Sequence, residues 1–338
     1  MILQQIRGLG RAVRKSAAFG PLCIGVGAAV VMAVALQAPP AQARSLGFQP
    51  YADSYGILTG SEAGGKAGTF TFSGASSSTT AVTGSVGVGN NEALTGTTPN
   101  GTISGELYKG SAVTGSLAAT ISGGTSTSTN PATGIGNAIT FSQQAGALAA
   151  TQTVTGNAIS LSNSSQTITL SSGQNVLNLT SLSLATTGSS SSKLTISGTA
   201  GELLIVNVSG NFSVEGRSSI VLSGGITAAD VIFNVTGTGG SVTVSGASST
   251  HAQTIAGTIL APNDNITLSG YTTLTGSVIG AFGTSSTAYN FSDTANFKIS
   301  YMAYAPEPSS LAVIGVALGA LGFIRRRKRG EAGTPTPA

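Results

Sequence analysis

The side chains able to do acid–base or metal chemistry are few and scattered in this sequence. His251 is the only histidine, so a Ser-His-Asp triad or a His-rich metal site has one candidate imidazole and no second one. Its neighbours Ser248, Ser249 and Thr250 are typical of a loop, where a histidine is expected to be solvated. We therefore predict no catalytic and no metal-binding residue.

The acidic residues outside the two ends of the chain stand singly: Asp53, Glu62, Glu92, Glu106, Glu202, Glu215, Asp230, Asp264 and Asp293. Enzymes that cleave polysaccharides bring at least two carboxylates together. Glu202 and Glu215 could meet on neighbouring coils of a repetitive fold, but we interpret these acids as solvated surface residues. The sequence thus predicts a protein that is not an enzyme.

The segment Gly60 to Lys66 almost matches a phosphate-binding loop. Such a loop places Ser or Thr directly after its lysine to bind magnesium, whereas Ala67 follows here. We interpret the segment as a glycine-rich surface turn, and we expect no cofactor.

The positive charge of the chain belongs to its ends. The formal net charge is +4, but nine of the 15 basic residues lie before Ser16 or between Arg325 and Arg329. Residues 44–305 hold six basic and nine acidic residues, a net charge of −3. Without a basic stripe in that part, nucleic acid is not an expected partner.

The N-terminal residues predict a signal peptide over 1–43. Four basic and no acidic side chains precede an apolar stretch over 17–36, and Ala41-Gln42-Ala43 is a site that signal peptidase accepts. Cleavage would leave Arg44 as the first residue. The alternative is a retained N-terminal anchor, because the apolar stretch is long enough to span a bilayer. Cys23, the only cysteine, lies in this stretch, so the mature chain is expected to contain no disulfide.

The C-terminal residues predict a membrane segment over 311–329, between a linker over 301–310 and a tail over 330–338. Leu311 to Ile324 is apolar or glycine throughout, and Arg325-Arg326-Arg327-Lys328-Arg329 follows directly. A helix of this apolar length spans only ~21 Å, less than the ~30 Å hydrocarbon core. The basic cluster should stay cytoplasmic, which leaves everything before Pro306 outside.

The exported part has the pattern of a mainly β protein. Over the whole chain, only 8% of the residues are charged, against roughly 25% in ordinary domains, while 40% are hydrophobic and 48 are glycine. From Gln166 onward, short runs with period-two alternation recur every ~8 to 12 residues. These runs are 167–170, 182–184, 194–196, 203–208, 212–214, 220–222, 231–235, 242–244, 255–260, 266–268 and 276–279.

The scarcity of aromatic residues favours thin stacked coils over a wide sandwich core, hence a β-solenoid body over 152–300. The region 44–136 is predicted to be a Gly/Ser/Thr-rich β region. Asn137 to Thr151 is rich in Ala, Gln and Leu, and it predicts a single short helix. The Thr-x-Thr triplets that begin at Thr69, Thr167 and Thr273 lie too far apart in the sequence to form one threonine ladder.

Two resemblances refine these expectations. Pro306-Glu307-Pro308, the short apolar segment and the arginine cluster together resemble the PEP-CTERM sorting signal, which in that family is handled by an exosortase. The tail 330–338 departs from the family, whose signals usually end soon after the basic cluster. An ordinary single-span anchor predicts the same topology without cleavage.

The body resembles the choice-of-anchor A and ice-binding-like domains. The similarity covers roughly Tyr55 to Phe282 and is strongest at 257–263 (Gly-Thr-Ile-Leu-Ala-Pro-Asn) with 266–268 and 276–280. It implies a right-handed β-solenoid with one helix packed alongside, carried by a surface protein.

Together these features predict an exported structural or adhesive protein of the cell surface or extracellular matrix. Its expected partners are signal peptidase, an exosortase, the inner membrane during or after sorting, and exopolysaccharide or other surface proteins. The alternative is a ligand-specific binder, of which an ice-binding protein is the named case. A third hypothesis is a polysaccharide-active enzyme.

Overall fold

In the computed structural model of the protein, residues 55–62, 64–73, 80–96, 101–294 and 296–302 are described. They form three parallel sheets of nine strands each, which we name sheets A, B and C. The predicted mainly β, solenoid-like architecture is confirmed. The right-handed coil implied by the resemblance stays a prediction.

The strands follow one another from sheet A to sheet B to sheet C, so three strands make one coil. Sheet A contains β1 (Tyr55–Ser61), β4 (Ser85–Val88), β7 (Leu107–Lys109), β10 (Thr125–Thr127), β13 (Gln174–Leu179), β16 (Leu203–Val208), β19 (Val231–Val235), β22 (Thr258–Ala261) and β25 (Val278–Gly283). Sheet B contains β2 (Thr69–Ser73), β5 (Ala93–Thr95), β8 (Thr114–Gly115), β11 (Ala158–Ser162), β14 (Ser181–Ala185), β17 (Phe212–Gly216), β20 (Ser241–Gly246), β23 (Asn265–Gly270) and β26 (Phe291–Thr294). Sheet C contains β3 (Thr80–Thr83), β6 (Gly101–Ile103), β9 (Ala119–Ile121), β12 (Ser165–Thr169), β15 (Lys193–Ser197), β18 (Ser219–Ser223), β21 (Gln253–Ala256), β24 (Thr272–Thr275) and β27 (Phe297–Ser300).

Each predicted run after Gln166 overlaps a strand of the structure, and one run is divided in two. Ile255 to Leu260 contains the end of β21 and the start of β22, and Gly257 forms the corner between them at a φ of 133°. Glycine tolerates this backbone conformation because it has no Cβ. A Cβ there would also press against the ring of Phe233, at 2.8 Å.

The coils are not stacked in the order of the sequence. In sheet A the spatial order is β10-β7-β4-β1-β25-β22-β19-β16-β13. The described part of the chain therefore begins in the middle of the solenoid with β1, winds to one end, crosses to the other end, and winds back until β25 pairs with β1, with Ile57 beside Val278. The described residues of the predicted β region (44–136) and of the predicted body (152–300) thus form one solenoid, to which the first contributes ten strands and the second seventeen.

The crossing between the two ends is made by the helix α1 (Asn130–Gly146), with single 3-10 turns elsewhere at Thr155–Asn157 and Ala228–Asp230. The prediction placed this helix at 137–151, so the observed helix begins and ends earlier. Pro131 lies in its first turn, where the missing N–H costs nothing. Residues Thr133 to Gly136 have low helix propensity, which is why the sequence did not predict this start. Burial of Ile135 and Ala138 against the sheet outweighs that low propensity.

The protein has two apolar layers. Inside the coils, inward-facing side chains such as Phe70, Phe212, Phe233 and Phe291 are completely buried. Between sheet A and α1, the outward-facing Leu58, Ile205, Ile232, Leu260 and Ile279 are buried as well. The helix therefore removes one of the three outer surfaces from solvent.

Among the described residues, no helix is both long enough and apolar enough to cross a membrane. The predicted processing sites Ala41, Ala43 and Arg44 and the predicted sorting residues Pro306 to Pro308 and Arg325 to Arg329 lie outside the described residues, as does the predicted membrane segment 311–329.

Candidate functional site: a hydroxyl row on sheet B

The outer surface of sheet B carries an unbroken row of hydroxyl groups. Because successive side chains of a strand point to opposite faces, the residues between the buried Phe, Leu, Ile and Val positions face outward. In-register parallel pairing places one such residue of each strand beside the next. We name as the hydroxyl row Ser160, Ser183, Ser213, Thr243, Thr267, Ser292, Thr71 and Thr95, in spatial order.

The hydroxyl row spans eight of the nine strands of sheet B. Strands lie about 4.8 Å apart, so the row is about 34 Å long. Ser160, Thr267 and Thr95 are exposed, and the other five side chains are partly exposed. Each hydroxyl group can donate one hydrogen bond and accept others, so the row offers the same chemistry at a fixed repeat.

Contacts within the row are few. Thr71 Oγ1 and Thr95 Oγ1 lie 2.9 Å apart and share a hydrogen bond, and Ser213 Oγ donates to Glu215 Oε1 at 2.6 Å. Glu215 is the one charged side chain that the strands of sheet B expose. The surface is therefore nearly uncharged.

The other two sheets present different surfaces. Sheet A is covered by α1. Sheet C exposes Lys193 and Lys298, and its outward positions include the apolar Val221, Ala256 and Ala81. Among the described residues, nothing covers the outer surface of sheet B, and this sheet alone carries a continuous line of hydroxyl groups.

The sequence did not reveal this row, because its members do not form Thr-x-Thr triplets. Thr69 to Thr71 lies on β2 of sheet B, whereas Thr167 to Thr169 and Thr273 to Thr275 lie on β12 and β24 of sheet C, with three strands between them. The triplets do not form one ladder, as the sequence indicated. The available signal was the mixture of serine and threonine at alternating positions, which a search for threonine alone overlooks.

The sequence predicted no catalytic and no metal-binding residue, and the described part of the structure shows where the candidate residues lie. Within them, no three or more His, Cys, Asp and Glu side chains come close enough to hold a metal ion. His251 is exposed, and its Nδ1 lies 2.9 Å from Thr250 Oγ1. The segment beginning at Gly60 leads from β1 to β2, whereas a phosphate-binding loop leads into a helix.

Glu202 and Glu215 do not meet. Glu202 is buried before β16 and accepts hydrogen bonds from Thr199 N and Thr199 Oγ1, both at 2.9 Å. Glu215 lies on the outer surface of sheet B. The pair therefore provides no acid–base site.

The interpretation of the acids as solvated surface residues is wrong for five of them: Glu92, Glu202, Asp230, Asp264 and Asp293 are buried. Asp230 closes a capping box with Thr227, whose N and Oγ1 donate to its carboxylate. Asp293 occupies an inward position of β26, between Phe72 and Leu268 of the neighbouring strands. The alternation Phe291-Ser292-Asp293 was the signal, since it puts the aspartate on the same face as the phenylalanine.

Three of these buried carboxyl groups have perturbed pKa values. Burial raises the pKa of Glu92 to about 7 and that of Asp264 to about 6, and it raises the pKa of Asp293 well above its usual range. Neither carboxyl oxygen of Asp293 has a hydrogen-bond partner, whereas the backbone of Gly240 acts on the Asp264 carboxyl group and partly offsets the effect of burial on its pKa. These three carboxyl groups are part of the buried interior, where burial favours their neutral form.

The fold and this surface define a class: a three-sided parallel β-solenoid with one helix-covered side and one hydroxyl-lined side. The sequence matches the family model described as the ice-binding-like adhesive domain over residues 48–299. The chain belongs to the ice-binding-like adhesive domain family. No curated protein sequence matches it.

Solved structures with similar folds include ice-binding proteins from several sources. One from the Antarctic ascomycete Antarctomyces psychrotrophicus is 15% identical, with a TM-score of 0.46 over 76% of this chain and 97% of that one. One with antifreeze activity from an Arctic yeast is 17% identical, with a TM-score of 0.47 over 78% and 98% of the two chains. One from an Antarctic bacterium, Flavobacteriaceae, is 16% identical, with a TM-score of 0.46 over 78% and 49%.

Proposed function

We propose that this chain is an exported, non-enzymatic adhesive protein that binds neutral polysaccharide through the hydroxyl row of sheet B. The observation that carries the proposal is the unbroken row from Ser160 to Thr95 on an uncovered surface. Membership in an adhesive domain family supports the same function. The predicted signal peptide and PEP-CTERM-like tail support export to the cell surface or matrix, where exopolysaccharide is the expected ligand.

The chemistry of the row favours a long, uncharged, hydroxyl-rich ligand. A single hydrogen bond contributes only about 0.5–1.5 kcal/mol net, so one sugar would bind weakly. A polymer lying along the strand-to-strand direction contacts several hydroxyl groups at once, and each further contact is intramolecular. Because Glu215 is the only exposed charge on the strands of this sheet, attraction of ionic ligands contributes little.

The test compares matched triple variants of the full-length chain in a mild detergent. Thr71→Ala, Thr243→Ala and Thr267→Ala remove three hydroxyl groups from the row, whereas Thr195→Ala, Thr273→Ala and Thr275→Ala remove three from sheet C. Depletion of each protein by insoluble cellulose and by agarose measures affinity. We expect the sheet B variant to bind at least about tenfold more weakly, because three hydrogen bonds are lost.

The sheet C variant should bind within about twofold of the wild type, and raising the salt should leave binding unchanged because screening acts on charges. Equal loss in both triple variants would refute the assignment to sheet B. Binding that disappears at high salt would refute recognition of neutral polysaccharide. Release of reducing sugar during the assay would point to an enzyme and overturn the proposal.

Ice is the second candidate ligand. The observation that favours it is that half of the row is threonine, including the adjacent pairs Thr243–Thr267 and Thr71–Thr95, which present a methyl group beside each hydroxyl. Thermal hysteresis or inhibition of ice recrystallisation by the wild type, lost in the sheet B variant and retained in the sheet C variant, would identify ice as the ligand.

A further inference from the structure

The described body ends at one particular corner of the solenoid. The chain passes from sheet C back to sheet A at Gly276, between β24 and β25, and at Gly84, between β3 and β4. Tyr301 takes the equivalent position after β27, because its amide donates to Thr83 O at 3.2 Å. In the same way, Gly276 N donates to Ser300 O at 2.9 Å. We name this edge of the solenoid, where sheets C and A meet, the C–A corner.

The start of β1 lies at the same corner. Tyr55 is the first described residue, and its carbonyl accepts a hydrogen bond from Ser277 Oγ at 2.9 Å. Ser277 lies between β24 and β25, in the coil that pairs with β1. The sequence before Tyr55 contains the predicted signal peptide, and the sequence after Met302 contains the predicted sorting tail. Both therefore join the body at the C–A corner.

The C–A corner lies opposite the hydroxyl row. Each coil has three sides, and sheets C and A meet at this corner, so sheet B forms the side across the body from it. A strand of five residues is about 17 Å long, which places the corner of a three-sided coil about 15 Å from the opposite side. An attachment at the C–A corner therefore leaves the outer surface of sheet B uncovered.

The chain between this corner and the predicted membrane segment is short. Eight residues separate Met302 from Leu311. A flexible chain of eight residues spans about 16 Å on average. To turn sheet B toward a membrane, this chain would have to run along one whole side of a coil, about 17 Å, before it reached the lipid. The short connection therefore keeps the C–A corner nearest to the bilayer.

The corner also carries side chains that suit a membrane–water interface. Met302 is 41% exposed, and among the described residues it is the one large apolar side chain that is exposed. Tyr301 beside it is partly exposed, and tyrosine is enriched where proteins meet the lipid headgroups. The strands of sheet B, in contrast, present hydroxyl groups that hydrogen-bond well in water.

We propose that the C–A corner is the membrane-facing side of the solenoid, held there by its short connection to the tail, and that the hydroxyl row faces away from the bilayer. The partner of the corner is the lipid surface that the predicted tail enters. This inference rests on the membrane tail of the proposed function and does not depend on polysaccharide binding. It gives the adhesive surface one direction, away from the cell, while the chain is anchored.

Energy transfer from a dye on the protein to the lipid surface measures this orientation. In a Cys23→Ser background of the full-length chain, Thr83→Cys attaches the dye beside the C–A corner and Thr267→Cys attaches it on sheet B. Both side chains are exposed. In vesicles of phosphatidylethanolamine and phosphatidylglycerol with acceptor dyes on the headgroups, the dye at position 83 should lie about 10 to 15 Å nearer to the acceptors. Equal transfer from the two positions, or stronger transfer from position 267, would overturn the proposal.

The matched control lengthens the connections. Inserting 24 Gly/Ser residues after Arg44 and another 24 after Met302 lets the body turn whether or not the signal peptide is retained. The average span between Met302 and Leu311 then rises to about 31 Å, so the difference between the two dye positions should shrink. A difference that persists in full would contradict the short connection as the cause of the orientation.

Flotation and capture by cellulose separate a failed orientation from a failed function. A full-length chain that does not float with the vesicles has no membrane anchor, which overturns both the predicted tail and the orientation. A chain that binds cellulose in detergent but does not carry its vesicles onto cellulose presents sheet B to the lipid, which overturns the orientation alone. A chain that shows the expected difference between the dyes but does not bind cellulose in detergent supports the orientation and refutes only the polysaccharide ligand.

Discussion

Ser142 of α1 and Asn234 of β19 exchange two hydrogen bonds across the buried interface between the helix and sheet A. Ser142 Oγ donates to Asn234 Oδ1 at 2.6 Å, and Asn234 Nδ2 donates to the carbonyl of Ser142 at 3.0 Å. Asn234 Nδ2 also donates to Asn207 Oδ1 at 2.8 Å, and Asn207 Nδ2 donates to Ala145 O at 2.8 Å. This ladder satisfies polar groups at a place where water has no access, and it fixes the helix along the sheet.

Replacing Asn234 with alanine should therefore destabilise the protein. The change leaves Ser142 Oγ and its carbonyl without their buried partner, which costs about 1–3 kcal/mol of unfolding free energy. Urea titration followed by circular dichroism measures the loss. Asn178→Ala is the control: Asn178 ends the same ladder but is exposed, so water can replace its contacts and the loss should stay below about 1 kcal/mol. Similar losses in both variants would show that the buried ladder has no special role.

The buried carboxyl groups predict that stability falls as the pH rises. A carboxyl group whose pKa is higher in the folded than in the unfolded state stabilises the fold below its unfolded pKa of about 4, and this contribution is lost as the pH rises through the folded pKa. Burial raises the pKa of Asp293, Glu92 and Asp264 in this direction. The free energy of unfolding should therefore be lower at pH 8 than at pH 5.

Asp293→Asn should reduce that dependence, by up to about 1.4 kcal/mol per pH unit, because the amide does not ionise. Urea titrations at pH 5 and pH 8 give the slope. Glu215→Gln, which replaces a carboxyl group on the exposed surface of sheet B, is the matched control for the loss of a buried carboxyl group. A wild type more stable at pH 8 than at pH 5 would contradict the burial of these groups as carboxylic acids.

Two glycines near α1 should respond to alanine in opposite directions. A Cβ at Gly89 would collide with Ile135 Cδ1 and with the backbone of Ser61, so Gly89→Ala should cost about 1–3 kcal/mol. A Cβ at Gly136 would meet Glu62 Oε1 at 2.8 Å, the end of an exposed, flexible side chain. Because alanine favours the helix, Gly136→Ala should stabilise by up to about 1 kcal/mol. Thermal midpoints measure both changes, and a destabilised Gly136→Ala would mean that the Glu62 carboxylate is held in place.

The processing signals give a prediction for the cell. Mass spectrometry of the surface fraction should find a peptide that begins at Arg44, because Ala41 and Ala43 form the predicted cleavage site.

Replacing Pro306, Glu307 and Pro308 with alanine should trap the protein in the inner membrane, as should removal of the exosortase. Normal surface delivery in either case would make the tail an ordinary anchor, and an intact Met1 would contradict cleavage.

The sequence predicted individual strands well because the period-two pattern is local. It could not predict the meeting of β1 with β25, since the partners are far apart in the chain and every coil has a similar apolar pattern. It misplaced the start of α1 because packing against sheet A, and not propensity, determines where that helix begins. The hydroxyl row could not be predicted from the sequence for a related reason. Its members are ordinary Ser and Thr residues, and only the stacking order of the strands places them next to one another.

The meeting of β1 and β25 also has a consequence for how the chain folds. The first described coil, β1 to β3, lacks one of its two neighbouring coils until the last coil, β25 to β27, has been synthesised. Closing a loop that joins the first and last coils costs conformational entropy before the new contacts compensate for it, so this step is expected to be slow. A chain that stops before Val278 would leave the middle of the solenoid open on one side. Folding of the whole body should therefore be complete only after its final coil has emerged.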